Sequence, residues 1–190
     1  QMCIRDRVSK SAYKIYEIDS HIIASAAGIV SDARVLIEKA QVVPQQHRIT
    51  YDSPIEPELI IKDISNIKQQ FTQYGGARPF GVSLMIAGIN RKKPELYTSD
   101  ITGNYLSYWA NSIGENDEKI KEKLREKYKS DLTIKKGVKL ALGIFKEIKE
   151  KKFNIARFEL CYIKNEDNKL KRLYGHELQE FLKWHRQPRE

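Results

Sequence analysis

Histidine and cysteine are the side chains best suited to metal binding and nucleophilic chemistry, and here neither is spaced for it. The four histidines are His21, His47, His176 and His185, with no HExxH or other metal-ligand spacing among them. Each reads as a solvated or hydrogen-bonded residue. The two cysteines, Cys3 and Cys161, form no CxxC and are too few for a disulfide framework, so both read as free thiols. Cys161 lies in a strand-like apolar stretch, where a buried, inert thiol is common. GxSxG, Walker A and GxGxxG patterns are absent from the sequence. Gly75-Gly76 lacks a following Lys-Ser/Thr, so a helix C-cap explains the pair better than a phosphate loop. No catalytic residue, metal or cofactor is expected.

The net charge of +9 invites a nucleic-acid partner, but its distribution argues against one. Much of the excess lies in 119–152, where Lys and Arg mix with Glu122, Glu126, Glu147 and Glu150, next to Glu118. Mixed signs along amphipathic helices form solvated faces. With 41% hydrophobic and 31% charged residues, the chain suits one packed domain. It has no apolar run of roughly eighteen residues that could cross a bilayer. Arg5, Asp6, Arg7 and Lys10 leave no room for the apolar stretch of a signal peptide. A soluble, cytoplasmic protein without membrane or nucleic-acid partners is the expectation.

The elements follow from periodicity. Residues 13–18 and 21–27 read as a hairpin turned at Asp19-Ser20. Ser31 or Asp32 can cap the next helix, which carries Leu36, Ala40 and Val43 and should be disturbed at Pro44. Ser53 and Glu56 have capping-box spacing before a helix from Pro57, with Ile60, Ile64, Ile67 and Phe71 on one face, ending at Tyr74-Gly75-Gly76. Residues 81–89 are almost wholly apolar, predicting a strand covered on both faces. Strands at 95–98 and 104–110, helices carrying Ile120 to Tyr128 and Ile134 to Ile148, a hairpin of 155–164 with 169–174, and a helix from His176 to His185 complete the chain. Paired strands and paired helices disfavour a Rossmann array and suit a sheet sandwich with helices outside.

Gln69 to Gly88 reads QQFTQYGGARPFGVSLMIAG. It closely resembles the stretch of 20S proteasome α-type subunits in which Y-T-Q-Y-G-G-x-R-P-F/Y-G-V-S-L joins the second helix to a core strand. Phe71 replaces the usual first Tyr, and Ala77 the usual Val. Ala27 to Leu36, AGIVSDARVL, is similar to A-G-L-x-A-D-A-R-x-L of that family. Pro94 to Gly114 is similar to P-x-L-Y-x-x-D-P-x-G-x-x-x-x-Y-x-A-x-A-I-G, with Ile101 in place of Pro and Ser112 in place of Ala. The matches lie in the family's order and have an archaeal character.

The resemblance implies an α/β (α+β) fold, the four-layer αββα sandwich of N-terminal-nucleophile hydrolases, incomplete at its N-terminus. Residues 11–186 would be one α-type domain, 187–190 a short tail, and residues 1–10 foreign sequence contributing nothing to the fold. The family's gating tail, first helix and opening strands are not matched, so poor self-assembly is expected. The implied role is a non-catalytic subunit that scaffolds the ring, gates substrate access and docks regulatory ATPase tails. Its partners would be other α subunits in a seven-membered ring, β subunits and an activator. A catalytic β-type threonine protease of the same fold is the alternative, but GGARPFGVS resembles α and not β chains.

By the same resemblance Lys14 lies at a pocket between α subunits, where it meets the C-terminal carboxylate of an activator tail. Gly28 and Ile29 form the pocket wall, a missing side chain letting the tail approach backbone N–H groups. From residue type alone, Lys14 is a solvated strand lysine. Tyr74, Gly75, Gly76, Arg78, Pro79 and Phe80 form the signature segment, implied to lie near a subunit interface. Tyr74, Phe80 and Phe71 are expected to pack in the core, and Arg78 to pair with a carboxylate of a neighbouring chain.

Overall fold

Alternation of apolar side chains along 15–28 and 82–99 builds the main sheet. The computed structural model describes residues 14–150, 153–166 and 168–183. The segment 1–10 and the tail 187–190 lie outside the described residues, as do Cys3, Tyr13 and His185. The first strands are β1 (Ile15–Asp19) and β2 (Ile22–Gly28), followed by α1 (Val30–Tyr51) and α2 (Pro57–Gln73). Next come β3 (Val82–Asn90), β4 (Lys93–Ser99) and β5 (Tyr105–Ser107), then α3 (Asp117–Lys127) and α4 (Ile134–Lys149). A hairpin of β6 (Glu159–Ile163) and β7 (Leu170–Tyr174) leads into α5 (Gly175–Lys183). The order matches the one read from periodicity, with the addition of a 3-10 turn at Ile155–Arg157 where a strand start was expected.

β1 to β5 form one antiparallel sheet in sequence order, and β6 pairs antiparallel with β7 in a second. α1 packs on β1 to β3, and α2 on β3 to β5. The core lies in that layer: Ile22, Leu36, Ile60, Ile61, Ile64, Val82, Leu84 and Ile86 are fully buried. Such side chains contribute about 1.5–3 kcal/mol each to folding. On the opposite face an apolar groove of about 730 Å³ lies between Ile89 and Leu96 of the sheet, Ile120 and Ile144 of the α3–α4 pair, and Ile163 of β6. The fold is α+β with antiparallel sheets and outer helices, in keeping with the αββα sandwich.

Five local expectations fail for physical reasons. α1 runs through Pro44 without a break. Pro44 is buried on the inward face, and the following turns are held by Arg48, which bonds Asp19 at 2.9 and 3.0 Å, and by the Asp52 N–H on the Arg48 carbonyl. α1 is capped by Ile29 rather than Ser31 or Asp32, and α2 starts with Pro57 at its first position without a Ser53–Glu56 box. A proline there gives up only an N–H that would be unpaired anyway. Even-numbered β3 residues from Val82 to Gly88 are buried, whereas Ser83, Met85 and Ala87 are half-buried. Among the described residues the second sheet has two strands, too narrow to cover five. Tyr74 leaves the expected aromatic cluster and is 64% exposed, while Phe71 and Phe80 do stack, ring centroids 4.7 Å apart.

Candidate functional site

The two most distinctive sequence segments, 27–36 and 69–88, meet in space. Gly28 closes β2 opposite Val82, the first residue of β3. That register sets the start of α1 against the loop leading into β3. Ile29 donates its N–H to the Gly81 carbonyl at 2.9 Å, and Gly81 donates its own to Asp32 Oδ2 at 2.8 Å. Arg78 clamps the same carboxylate in bidentate fashion, Nη1 at 2.6 Å and Nη2 at 2.7 Å. Hydrogen bonds from Arg78 and from the Gly81 N–H hold the Asp32 carboxyl well down, at about 2, and the pairing raises Arg78 in turn. Asp32 also lies in the first turn of α1, where the helix dipole favours an anion.

Glycine is required at this junction. A Cβ on Gly28 would lie 2.2 Å from the Gly81 carbonyl oxygen, and Gly28 has φ +135°. The missing side chain therefore accommodates the chain's own strand. The Ile29 N–H, expected to be open to a ligand, is already bonded. Ile29's side chain stays 46% exposed beside Val30, leaving an apolar lip.

From the α2 side, Lys68 grips the next residue along. Its buried Nζ donates to the carbonyls of Val82 (3.1 Å), Asp100 (3.0 Å) and Ser99 (3.4 Å), and to Ser99 Oγ (3.2 Å). Burial pushes this ammonium down to about 8, opposed by the charge of Asp100. Asp100 itself folds its loop by accepting from the N–H groups of Thr102 and Asn104.

Lys14 stands at the same end of the sheet. Ile15 pairs with Ser25 in the antiparallel β1–β2 ladder, so the start of β1 lies beside the end of β2, near Gly28 and Ile29. Lys14 is exposed, and among the described residues its ammonium has no ion-pair partner. Its main chain is held on both sides: Glu159 Oε2 accepts the N–H at 3.2 Å, and Ser25 Oγ donates to the carbonyl at 3.1 Å.

Of the signature residues, Tyr74 and the Gly75-Gly76 turn are open to solvent, with Gly76 left-handed at φ +84°. Pro79 accepts from Arg78 Nη1 through its carbonyl, and Phe80 packs against the core. Arg78 pairs with a carboxylate of its own chain, which the register of Gly28 on Val82 brings within reach. Asp32 and Lys68 are the residues that sequence reasoning missed. Lys68 follows Ile60, Ile61, Ile64 and Ser65 on the buried face of α2, and that spacing was the available signal.

The remaining reactive side chains are engaged structurally. His21 Nε2 donates to the Ile55 carbonyl at 2.9 Å, and His47 Nδ1 bonds the Ser53 carbonyl at 3.1 Å. Burial pushes the Cys161 thiol up to about 11. Among the described residues no group of three His, Cys, Asp or Glu could hold a metal, and no helix is long and apolar enough to cross a membrane.

Comparison with known proteins places these features in a family. The model of the proteasome family, described as proteasome subunit, matches residues 4–163. "Proteasome subunit alpha" of Pyrobaculum aerophilum is 41% identical over 174 residues, covering 92% of this chain and 71% of that protein. The protein of the same name from Pyrococcus horikoshii is 39% identical, covering 91% of this chain and 66% of its own length. That of Methanosarcina acetivorans is 36% identical, with 92% and 70% covered. The chain thus spans about two thirds of the length of these relatives.

Proposed function

The chain belongs to the proteasome subunit family, and from that premise we propose that it serves as a non-catalytic α-type subunit of the proteasome core particle. The observation that carries this reading is the 41% identity over 92% of the chain to a protein named proteasome subunit alpha, which favours the α-type over the catalytic β-type alternative. In this role it scaffolds a seven-membered ring with other α subunits, stacks on β subunits and narrows the substrate entrance. Its hydrogen-bonded junction around Asp32 ties β2, α1 and β3 into one corner, as a ring subunit requires.

The same corner carries the docking function. Lys14 presents an ammonium on an anchored backbone beside the apolar lip of Ile29, next to Gly28. A compact cation suits the terminal carboxylate of a peptide, and an apolar lip suits a hydrophobic residue of that peptide. The peptide in this reading is the C-terminal tail of a regulatory ATPase. The role of the signature segment 74–80 is to set the wall of this corner.

The test is assembly of the chain, within its full-length protein, with β subunits, followed by assays of peptide and protein hydrolysis. Lys14→Glu is expected to abolish activator-stimulated protein degradation while sparing assembly and the hydrolysis of small peptides. Replacing attraction by repulsion at a desolvated pair costs about 2–5 kcal/mol. Unchanged activator affinity would remove Lys14 from the site. Peptide hydrolysis by the chain without β subunits would favour the β-type alternative.

A further inference from the structure

The cluster around Glu159 is unexplained by ring scaffolding. Glu159 opens β6 in the second sheet, yet its carboxylate reaches β1 in the first. Its side chain is 14% exposed and that of its partner Arg172 is 23% exposed, so the pair is largely withdrawn from water. Oε1 takes the Arg172 guanidinium, and Tyr174 Oη also donates to it at 3.4 Å. Oε2 is left for one contact, the Lys14 N–H at 3.2 Å. Ser25 closes the other side of the same residue by donating to its carbonyl.

Two consequences follow from this arrangement. Lys14 precedes the first β1 residue that pairs with β2, and at this strand end Glu159 and Ser25 hold its N–H and carbonyl where no ladder partner does. The Glu159 charge lies close to Lys14, and uncompensated it would repel an incoming carboxylate. Arg172 cancels it, and among the described residues the Lys14 ammonium has no ion-pair partner of its own.

We infer that Glu159, neutralised by Arg172, is a positioning residue for Lys14: it fixes the backbone that carries the ammonium against which a peptide carboxylate docks. The inference rests on the docking role proposed above for Lys14. A purely structural role, tying β6 to β1, would weaken the whole corner and not one charge of the ligand.

A double-mutant cycle on the assembled particle separates these. Binding of a short peptide with a free C-terminal carboxylate is measured by fluorescence anisotropy, beside the same peptide amidated. K14A is expected to weaken the free-carboxylate peptide by about tenfold or more and the amide little, a coupling of ordinary size. E159A should weaken it by about fivefold to tenfold when Lys14 is present and by less than about twofold in the K14A background, since residues acting through one another are non-additive. E159Q, which keeps an oxygen for the Lys14 N–H, should recover part of the loss. An E159A effect that adds fully to that of K14A, or that strikes both peptides equally, overturns the positioning role and leaves the docking reading intact. No effect of K14A overturns the docking reading, and the positioning role with it. If E159A fails to assemble, R172M is the second variant. It leaves the Glu159 charge uncompensated, so selective loss of the free-carboxylate peptide supports the inference and equal loss of both peptides overturns it.

Discussion

Replacing Lys68 by methionine removes a buried donor while keeping an unbranched side chain only one atom shorter. Lys68 is fully buried, and its Nζ serves the carbonyls of Val82, Ser99 and Asp100 and the Ser99 hydroxyl. Ser99 Oγ keeps a second donor in Ser65. The three carbonyls lose this one; that of Asp100 keeps the Gly103 N–H at 3.4 Å, and a buried acceptor left without a partner costs about 1–3 kcal/mol. Part of that is returned, because the variant no longer takes an ammonium out of water. A net loss of about 3 kcal/mol is expected, which for a chain of this size lowers Tm by about 6–12 °C. Lys62 is exposed on the same helix and supplies the control, K62M, with a shift near zero. Stability against pH gives an independent readout. The folded Lys68 ammonium titrates at about 8 rather than 10.5, so between those values the unfolded chain binds a proton that the folded chain has released. Stability contributed by this group therefore rises with pH across that window and is lost as pH falls through about 8, and the parent should gain on K68M there. A K68M melt within about 2 °C of the parent, with parallel pH curves, would refute the reasoning.

Gly28→Ala should destabilise by about 2–5 kcal/mol, through contact with Gly81 and a left-handed φ, whereas Gly75→Ala, whose Cβ meets nothing within 4 Å, should shift a urea midpoint little. Asp32→Asn should lower stability at neutral pH and flatten its acid dependence. The Asp32 carboxyl is held at about 2 against an ordinary 3.8, so its contribution is complete above about pH 4 and disappears as pH falls toward 2. Urea midpoints from pH 2 to 6 check this, and curves that stay parallel for parent and variant contradict it. With Cys3 replaced by Ser, the half-buried Cys161 should react with a disulfide reagent at pH 8 more slowly in the folded chain than in the urea-unfolded chain, because its thiol is pushed up to about 11. Rapid labelling of the folded chain would count against that burial.

Element order was legible because strand and helix periods differ and every connection carries turn residues. What stayed hidden depends on distance in sequence. Asp32 read as a helix cap because its partners, Arg78 and Gly81, lie in another segment. Lys68 was passed over because the apolar stripe was drawn through Ile67 and Phe71, about a quarter turn from the centre of the buried face. Pro44 read as a break because local sterics say nothing of Arg48 reaching back to Asp19. Lys14, for which a docking role is proposed, carried no signal of its own, and only its place beside Gly28 and Ile29 distinguishes it from other exposed lysines.

The register of β2 on β3 also has a kinetic meaning. β1 with β2, and β3 with β4 and β5, are hairpin neighbours that need only local chain search. The single long-range seam of this sheet runs from Gly28 on Val82 to Ile22 on Gly88. Drawing its near end shut encloses both helices in a loop of roughly fifty residues, at an entropic cost of about 3.5 kcal/mol. The bonds among Ile29, Asp32, Arg78 and Gly81 lie at the mouth of that loop, where closure must begin. They therefore act on the rate at which two independently formed halves become one sheet, as well as on how firmly the finished sheet is held.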